Sequence, residues 1–165
     1  MTDTSPPGTS PFVTGPQEGQ AIWSLGVLRQ VKAPAAATGG QISVSEQVLP
    51  KGSSPPLHVH HREDEAFYIL EGHLTCQAGD QLLTATAGSF VWLPRDIPHT
   101  FRVDSRTARI LTLCVPGGFE EFFAAIGRPA GQLTLPPPPE EPPDMEAMVG
   151  HAQAYEVEFL GPPMI

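Results

Sequence analysis

Between Gly40 and Pro116, glycine, proline or aspartate interrupts the chain at intervals of at most 12 residues. A long helix has no room in such a stretch, whereas short strands fit between the breaks. Within residues 41–49, Ile42, Val44, Glu46 and Val48 share one parity and Ser43, Ser45 and Gln47 the other. That period of two predicts a strand whose Ile42 face is covered. Further short runs follow at residues 65–70, 74–77, 81–86, 90–93, 99–103 and 109–115, with turn signals between most of them. Upstream, Trp23, Leu25, Val27 and Val31 share one parity, so residues 21–31 read as one more strand. Many short strands at this spacing predict an all-β sandwich or barrel.

Helical periodicity enters only afterwards. Phe119, Phe122, Phe123 and Ile126 stand at i, i+3, i+4 and i+7, ahead of Gly127. Met145, Met148, Val149 and Ala152 repeat the pattern behind Asp144, a suitable N-cap. Two short C-terminal helices covering a β body are expected. Of the 20 prolines, six fall between Pro136 and Pro143, and others crowd the first 16 residues. The chain is therefore divided into a flexible lead-in (1–20), a β domain (21–128) and a Pro-rich, acidic extension with a short helix (129–165).

A net charge of −9 argues against nucleic acid or an anionic lipid surface as partner. No apolar run has the length of a membrane helix, and residues 1–12 lack the charge and apolar core of a secretory signal. Cys76 and Cys114 form no CxxC unit and are too few for a disulfide framework, which points to a reduced, cytoplasmic setting.

The chemistry concentrates in two glycine-opened segments. His58 and His60 are two apart, so in an extended strand both imidazoles project to one face. Glu65 shares its parity with Phe67 and Ile69, and His99 with Phe101 and Val103. Three neutral imidazoles and one carboxylate converging inside a β shell make a site for a divalent transition metal. Without one, an ionised glutamate there would cost several kcal/mol unless paired. His61, on the opposite parity, is expected in solvent, as are His73 and His151. Glu63 and Asp64 read as loop or rim charges rather than ligands, although a one-residue slip would exchange Glu63 for Glu65, and Arg95 and Arg102 read as residues of the cavity mouth or simply of the surface. Glu46 either holds a histidine N–H or forms an ion pair on the outer sheet face, and the second reading is preferred.

The spacing Gly52-x5-His58-x-His60-x4-Glu65-x6-Gly72 resembles the first cupin motif. Gly88-x5-Pro94-x-Asp96-x2-His99-x3-Val103 resembles the second, with Asp96 in place of a glycine and Val103 in place of an asparagine. The resemblance implies a double-stranded β-helix, or jelly roll, with one divalent metal per chain held by His58, His60, Glu65 and His99. The string from Pro55 to Gly72, the helix after Pro116 and the segment Tyr155 to Pro163 are similar to bacterial single-domain quercetinases, the flavonol 2,4-dioxygenases. That likeness implies dioxygen and a flavonol or related enolisable hydroxyketone as substrates, with Glu65 also acting as the base. Phe67, Ile69, Phe101, Val103 and Trp92 would line the substrate pocket. Iron, manganese, nickel and cobalt all suit this donor set, and copper or zinc can be held by it. The alternative is a cupin that anchors a small molecule on its metal without turnover. A homodimer is expected as well, because Ile22, Trp23, Leu25, Val27 and Leu28 are apolar on both parities, more than one barrel face needs.

Overall fold

The alternating stretches form strands, and the computed structural model describes them within residues 10–139 and 142–165. In chain order they are β1 (Gln20–Ser24), β2 (Val27–Ala33), β3 (Ser43–Pro50), β4 (Pro56–His60), β5 (Asp64–Glu71) and β6 (His73–Ala78). Then come β7 (Gln81–Thr86), β8 (Phe90–Leu93), β9 (His99–Val103), β10 (Thr107–Val115), β11 (Arg128–Pro129) and β12 (Val157–Pro163). Helix α1 (Glu120–Ile126) follows β10, and α2 (Met145–Ala154) precedes β12. The strands make two antiparallel sheets, ordered β11-β1-β2-β3-β10-β5-β8 and β12-β4-β9-β6-β7. The all-β jelly roll with two short C-terminal helices is as expected. No helix among the described residues is long and apolar enough to cross a membrane.

The sheets pack face to face over one core. Phe67, Ile69, Val91, Leu93 and Ile110 come from the first sheet, Leu74, Cys76, Ala85 and Val103 from the second. A second apolar cluster lies at one end, where Phe119 and Phe122 of the α1 region and Met148 and Ala152 of α2 meet Cys114 and Val157. Asp144 caps α2 as expected, accepting the Ala147 N–H at 3.0 Å. Cys76 and Cys114 are both free and buried.

Three sequence expectations give way. Residues 21–31 are not one strand but the hairpin β1–β2, which turns at Leu25 (φ 52°) and Gly26 (φ 75°). Two positive φ values in a row are the geometry of a tight hairpin turn, and leucine at its first position hides the usual signature. The apolar residues that suggested a second chain, Ile22, Val27 and Leu28, are buried within this one, and β11 closes the outer edge of β1. On β3 the faces are reversed. Ser43, Ser45, Gln47 and Leu49 point inward, while Val44, Glu46 and Val48 lie half-buried outside. Leu49, 1% exposed, belongs to the core and carries the serines and the glutamine inward with it. Finally, residues 14–18 of the expected flexible lead-in are tied to β2. The Lys32 ammonium donates to the Gly15, Pro16 and Glu18 carbonyls, and the Gln30 amide to those of Pro16 and Glu18. Residues 1–9 of that lead-in, and Glu140 and Glu141 of the acidic extension, lie outside the described residues. That extension also supplies a strand, β12, which pairs with β4.

Gly72 shows why the first motif ends in glycine. Its φ is +82°, and a Cβ there would stand 2.4 Å from the Thr107 carbonyl oxygen and 2.5 Å from Ser105 Oγ. Gly72→Ala combines a left-handed conformation with overpacking and is expected to lower unfolding free energy by about 3 kcal/mol. The urea midpoint measures it; a shift worth under about 1 kcal/mol would show that the β5–β6 turn relaxes freely.

Candidate metal centre

Two sheets contribute to one cluster. His58 and His60 stand on β4, and His99 on β9 lies directly opposite His58 across the β4–β9 pair. Glu65 enters from β5 in the facing sheet, so the cluster exists only when the sandwich is closed. One donor atom from each of the four residues lies within 4.8 Å of the others, and all four residues are buried. The imidazole centroids are 4.5 Å (His58–His99), 5.1 Å (His58–His60) and 5.5 Å (His60–His99) apart.

Each ring is oriented from behind. His58 Nδ1 donates to the Pro56 carbonyl at 2.8 Å, His99 Nδ1 to the Ile97 carbonyl at 3.0 Å, and His60 Nδ1 to Glu63 Oε2 at 3.2 Å. In the neutral tautomer that keeps its proton on Nδ1, each ring offers an Nε2 lone pair to the shared point. His60 Nε2 is buried with no hydrogen-bond partner, and it lies 3.9 Å from Glu65 Oε2. His99 Nε2 lies 3.1 Å from the same oxygen. With neutral rings these lone pairs and the carboxylate repel one another; a proton on His99 Nε2, donated to Glu65, relieves this without a metal, and a divalent cation would relieve it for all three rings. This donor set therefore fits a divalent metal, and its chemistry is that of a transition-metal site.

The electrostatics agree. Burial alone would raise the Glu65 carboxyl, but the hydrogen bond from His99 and the fields of His60, His99 and His58 outweigh it and hold the group at about 2. Burial, joined by the fields of His99 and His60, pushes His58 down to about 3. On His99 burial also opposes the charge, yet the hydrogen bond to Glu65 and its field prevail and raise the pKa.

Above the cluster opens a cavity of about 360 Å³, a size suited to a small organic ligand. Phe67 and Phe101 form one wall in edge-to-face contact at 5.4 Å, and Phe119, Phe122 and Phe159 close another side. Of the five residues predicted to line it, Phe67 and Phe101 do. Ile69 and Val103 are sealed in the core below the cavity. Trp92 points the other way. It is 50% exposed on the outer face of β8, because Val91 and Leu93 take the inward parity.

Other expectations sort by contact. Glu63 is no rim charge: it is fully buried behind His60, and its Oε1 has no hydrogen-bond partner. The turn before β5 folds it inward, which strand parity does not foresee. Asp64 is held by Arg95 at 2.8 Å and Arg102 by Asp104 at 2.7 Å, so both arginines are spent away from the cavity. Glu46 pairs with Arg109 at 3.2 Å on the outer face, the preferred reading. His61 is exposed between Asp96 and Glu158, which raise its pKa, and does not face the cluster. Asp96 adopts φ 64°, the left-handed turn that a glycine would otherwise take in the second motif.

Sequence reasoning missed the contribution of β12. Val157 pairs with His60 and Phe159 with His58, so β12 covers the free edge of the strand that carries two of the imidazoles. Phe119 was expected only as helix core, but its ring meets that of His60 at 4.5 Å. Gly161, Pro162 and Pro163 disguise β12, yet as an edge strand it tolerates proline.

Comparison with known proteins supports the same reading. The cupin domain family matches residues 45–116. Quercetin 2,3-dioxygenase of Bacillus subtilis is 33% identical over 75% of this chain and 37% of its own length. Quercetin 2,3-dioxygenase of Aspergillus japonicus is 30% identical over 76% of this chain and 32% of its own length. The chain thus spans about a third of the length of these two relatives. A solved RmlC-like cupin from Shewanella frigidimarina matches 68% of this chain and 96% of its own, with a TM-score of 0.57 and 18% identity, a likeness of fold. Fold, motif spacing and family match coincide on the same strands: the chain carries a domain that matches the cupin family over residues 45–116 and is similar in sequence to the quercetin dioxygenases.

Proposed function

We propose that this cupin binds one divalent transition metal through His58, His60, Glu65 and His99 and acts as a dioxygenase on a flavonol or similar enolisable aromatic hydroxyketone. One observation carries the reading. Three imidazoles whose Nδ1 atoms are already committed converge with one carboxylate, and two members of that cluster, His58 and Glu65, line an aromatic-walled cavity. The names of the two curated relatives point to the substrate class.

A divalent cation held there would lower the pKa of a hydroxyl presented to it. Glu65 is the carboxylate among the cavity-lining residues, and it receives the enolic proton. Phe67 and Phe101 keep the ring system flat against their wall and exclude water from the electron-rich carbon that meets dioxygen. The Pro56 and Ile97 carbonyls and Glu63 keep the imidazoles from turning as the substrate enters. The two free, buried cysteines support the reduced, cytoplasmic setting that belongs to this proposal.

Oxygen uptake with quercetin tests it after reconstitution with iron, manganese, nickel or cobalt in turn. Uptake with at least one metal is expected. Tight metal binding with no uptake across a flavonol panel would leave a ligand-binding cupin instead. H58A/H60A is expected to lose stoichiometric metal in elemental analysis; unchanged metal content would refute the ligand assignment.

Acid competes with the metal, because bound imidazoles must be unprotonated. His58, held near 3, is already neutral above about pH 4 and brings no competing proton. The raised His99 does compete. Affinity is therefore expected to fall as pH falls from about 7 to about 5, by fewer than three decades per pH unit. Chelator competition measures the slope, and a value of three would show that His58 also takes up a proton in this range.

The homodimer remains part of this proposal, now through β8, at the end of the seven-stranded sheet. There Phe90 and Trp92 are 60% and 50% exposed beside Tyr68. Light scattering is expected to give a dimeric mass at micromolar concentration, and a monomeric mass would remove it.

A further inference from the structure

The cavity has a second polar pole. Arg29 on β2 and Gln47 on β3 stand directly opposite each other across their ladder, and both line the cavity. They are 7% and 5% exposed. Arg29 Nη1 donates to the Ser24 carbonyl at 2.8 Å and to Ser24 Oγ at 2.6 Å, and its guanidinium carbon lies 3.8 Å from the centroid of the Phe123 ring. Those contacts use one end of the fork. Nε is buried without a partner, and no carboxylate forms an ion pair with Arg29 among the described residues. Gln47 spends its amide N–H on Thr112 Oγ1 at 2.9 Å, which fixes the side chain. Burial pushes the Arg29 guanidinium down to about 9, and the Glu65 field offsets only part of that.

A guanidinium kept in an apolar enclosure without a counter-ion is costly unless a ligand completes it. The register shows where that ligand must reach. Glu65 lies in the row of Cys114 and Ser43, whereas Arg29 lies in the row of Gln47, four residues farther along β3. At the backbone the two rows are roughly 13 Å apart along the strand. The two poles thus stand at different levels of one cavity, and an extended, multi-ring aromatic is long enough to meet both.

We propose that Arg29, positioned beside Gln47, binds an ionised or acceptor oxygen on the end of the ligand remote from the histidine–glutamate cluster. Taken with the flavonol reading, on which this choice of substrate rests, Arg29 selects hydroxyketones that carry such an oxygen on a distal ring. The anion-binding pole itself does not depend on that reading.

Binding to the metal-free protein, measured by isothermal titration calorimetry, tests both layers. The probes are quercetin, with oxygens on its outer rings, and 3-hydroxyflavone, without them. Arg29→Met is expected to weaken quercetin by roughly tenfold to a hundredfold and 3-hydroxyflavone by less than about twofold. Arg29→Lys should recover part of the loss, since it keeps the charge without the fork. Equal losses on both flavonols, or none on either, would overturn the proposal. If R29M fails to melt cooperatively, R29K is read in its place, and undiminished quercetin binding there overturns it. If wild-type protein binds neither flavonol, the flavonol reading fails, and 2-naphthoate against naphthalene decides the pole alone. A carboxylate preference lost in the Arg29 variant sustains it. A preference kept in that variant, or absent from the wild type, overturns it.

Discussion

The pairing of β4 with β9 is the contact on which the rest depends. It sets His58 opposite His99 and leaves His60 two residues along the same face. Neither sheet completes the cluster, because Glu65 comes from the facing layer. Closing the sandwich therefore drives a carboxylate into an interior of Phe67, Ile69 and Leu93, which is unfavourable unless a positive partner waits there. The imidazoles are that partner in part, as the low Glu65 and raised His99 pKa values record. The match between core and cluster is electrostatic as much as steric, so metal binding and folding stability are coupled through the same four residues.

The C-terminal elements convert this cluster from an open sheet edge into the floor of a pocket. Without β12, the outer edge of β4 would present free N–H and C=O groups beside His58 and His60. Helices α1 and α2 then lay Phe119, Phe122 and Met148 against Val157, closing the end of the sandwich with aromatic surface. The stacked Phe119–Phe122 pair, 5.1 Å between centroids, reaches the imidazole of His60 through Phe119. Helix packing and ring orientation in the cluster are thus one continuous set of contacts.

Period-two alternation and turn residues were enough to place most strands: β7, β8 and β9 have the bounds that the sequence predicts. Motif spacing named the four residues that converge, since parity puts His58 and His60 on one face whatever the tertiary structure does. What escaped was of three kinds. Leu25 conceals a hairpin turn, because the positive φ it adopts is usually advertised by asparagine or glycine. Glu63 sits in a turn, where no periodicity reports whether a side chain points inward. β12 mixes prolines with a glycine and pairs on one side only, so its pattern is that of a loop.

Beyond these three, the inverted face of β3 is the most informative failure. Burying Ser43, Ser45 and Gln47 while leaving Val44 and Val48 half outside contradicts the hydrophobic pattern of the strand itself. Local pattern and global fold usually agree, and where they part the chain is commonly serving a site. Here the inward Gln47 lines the cavity beside Arg29, while Ser43 and Ser45 are buried on the same face of β3 toward the row of Glu65. An apolar residue in place of Gln47 would deepen the core but remove a group that can face a polar ligand. Hydrophobic periodicity assumes that whatever lies beneath a strand is core, and it reverses sign when part of what lies beneath is a binding cavity.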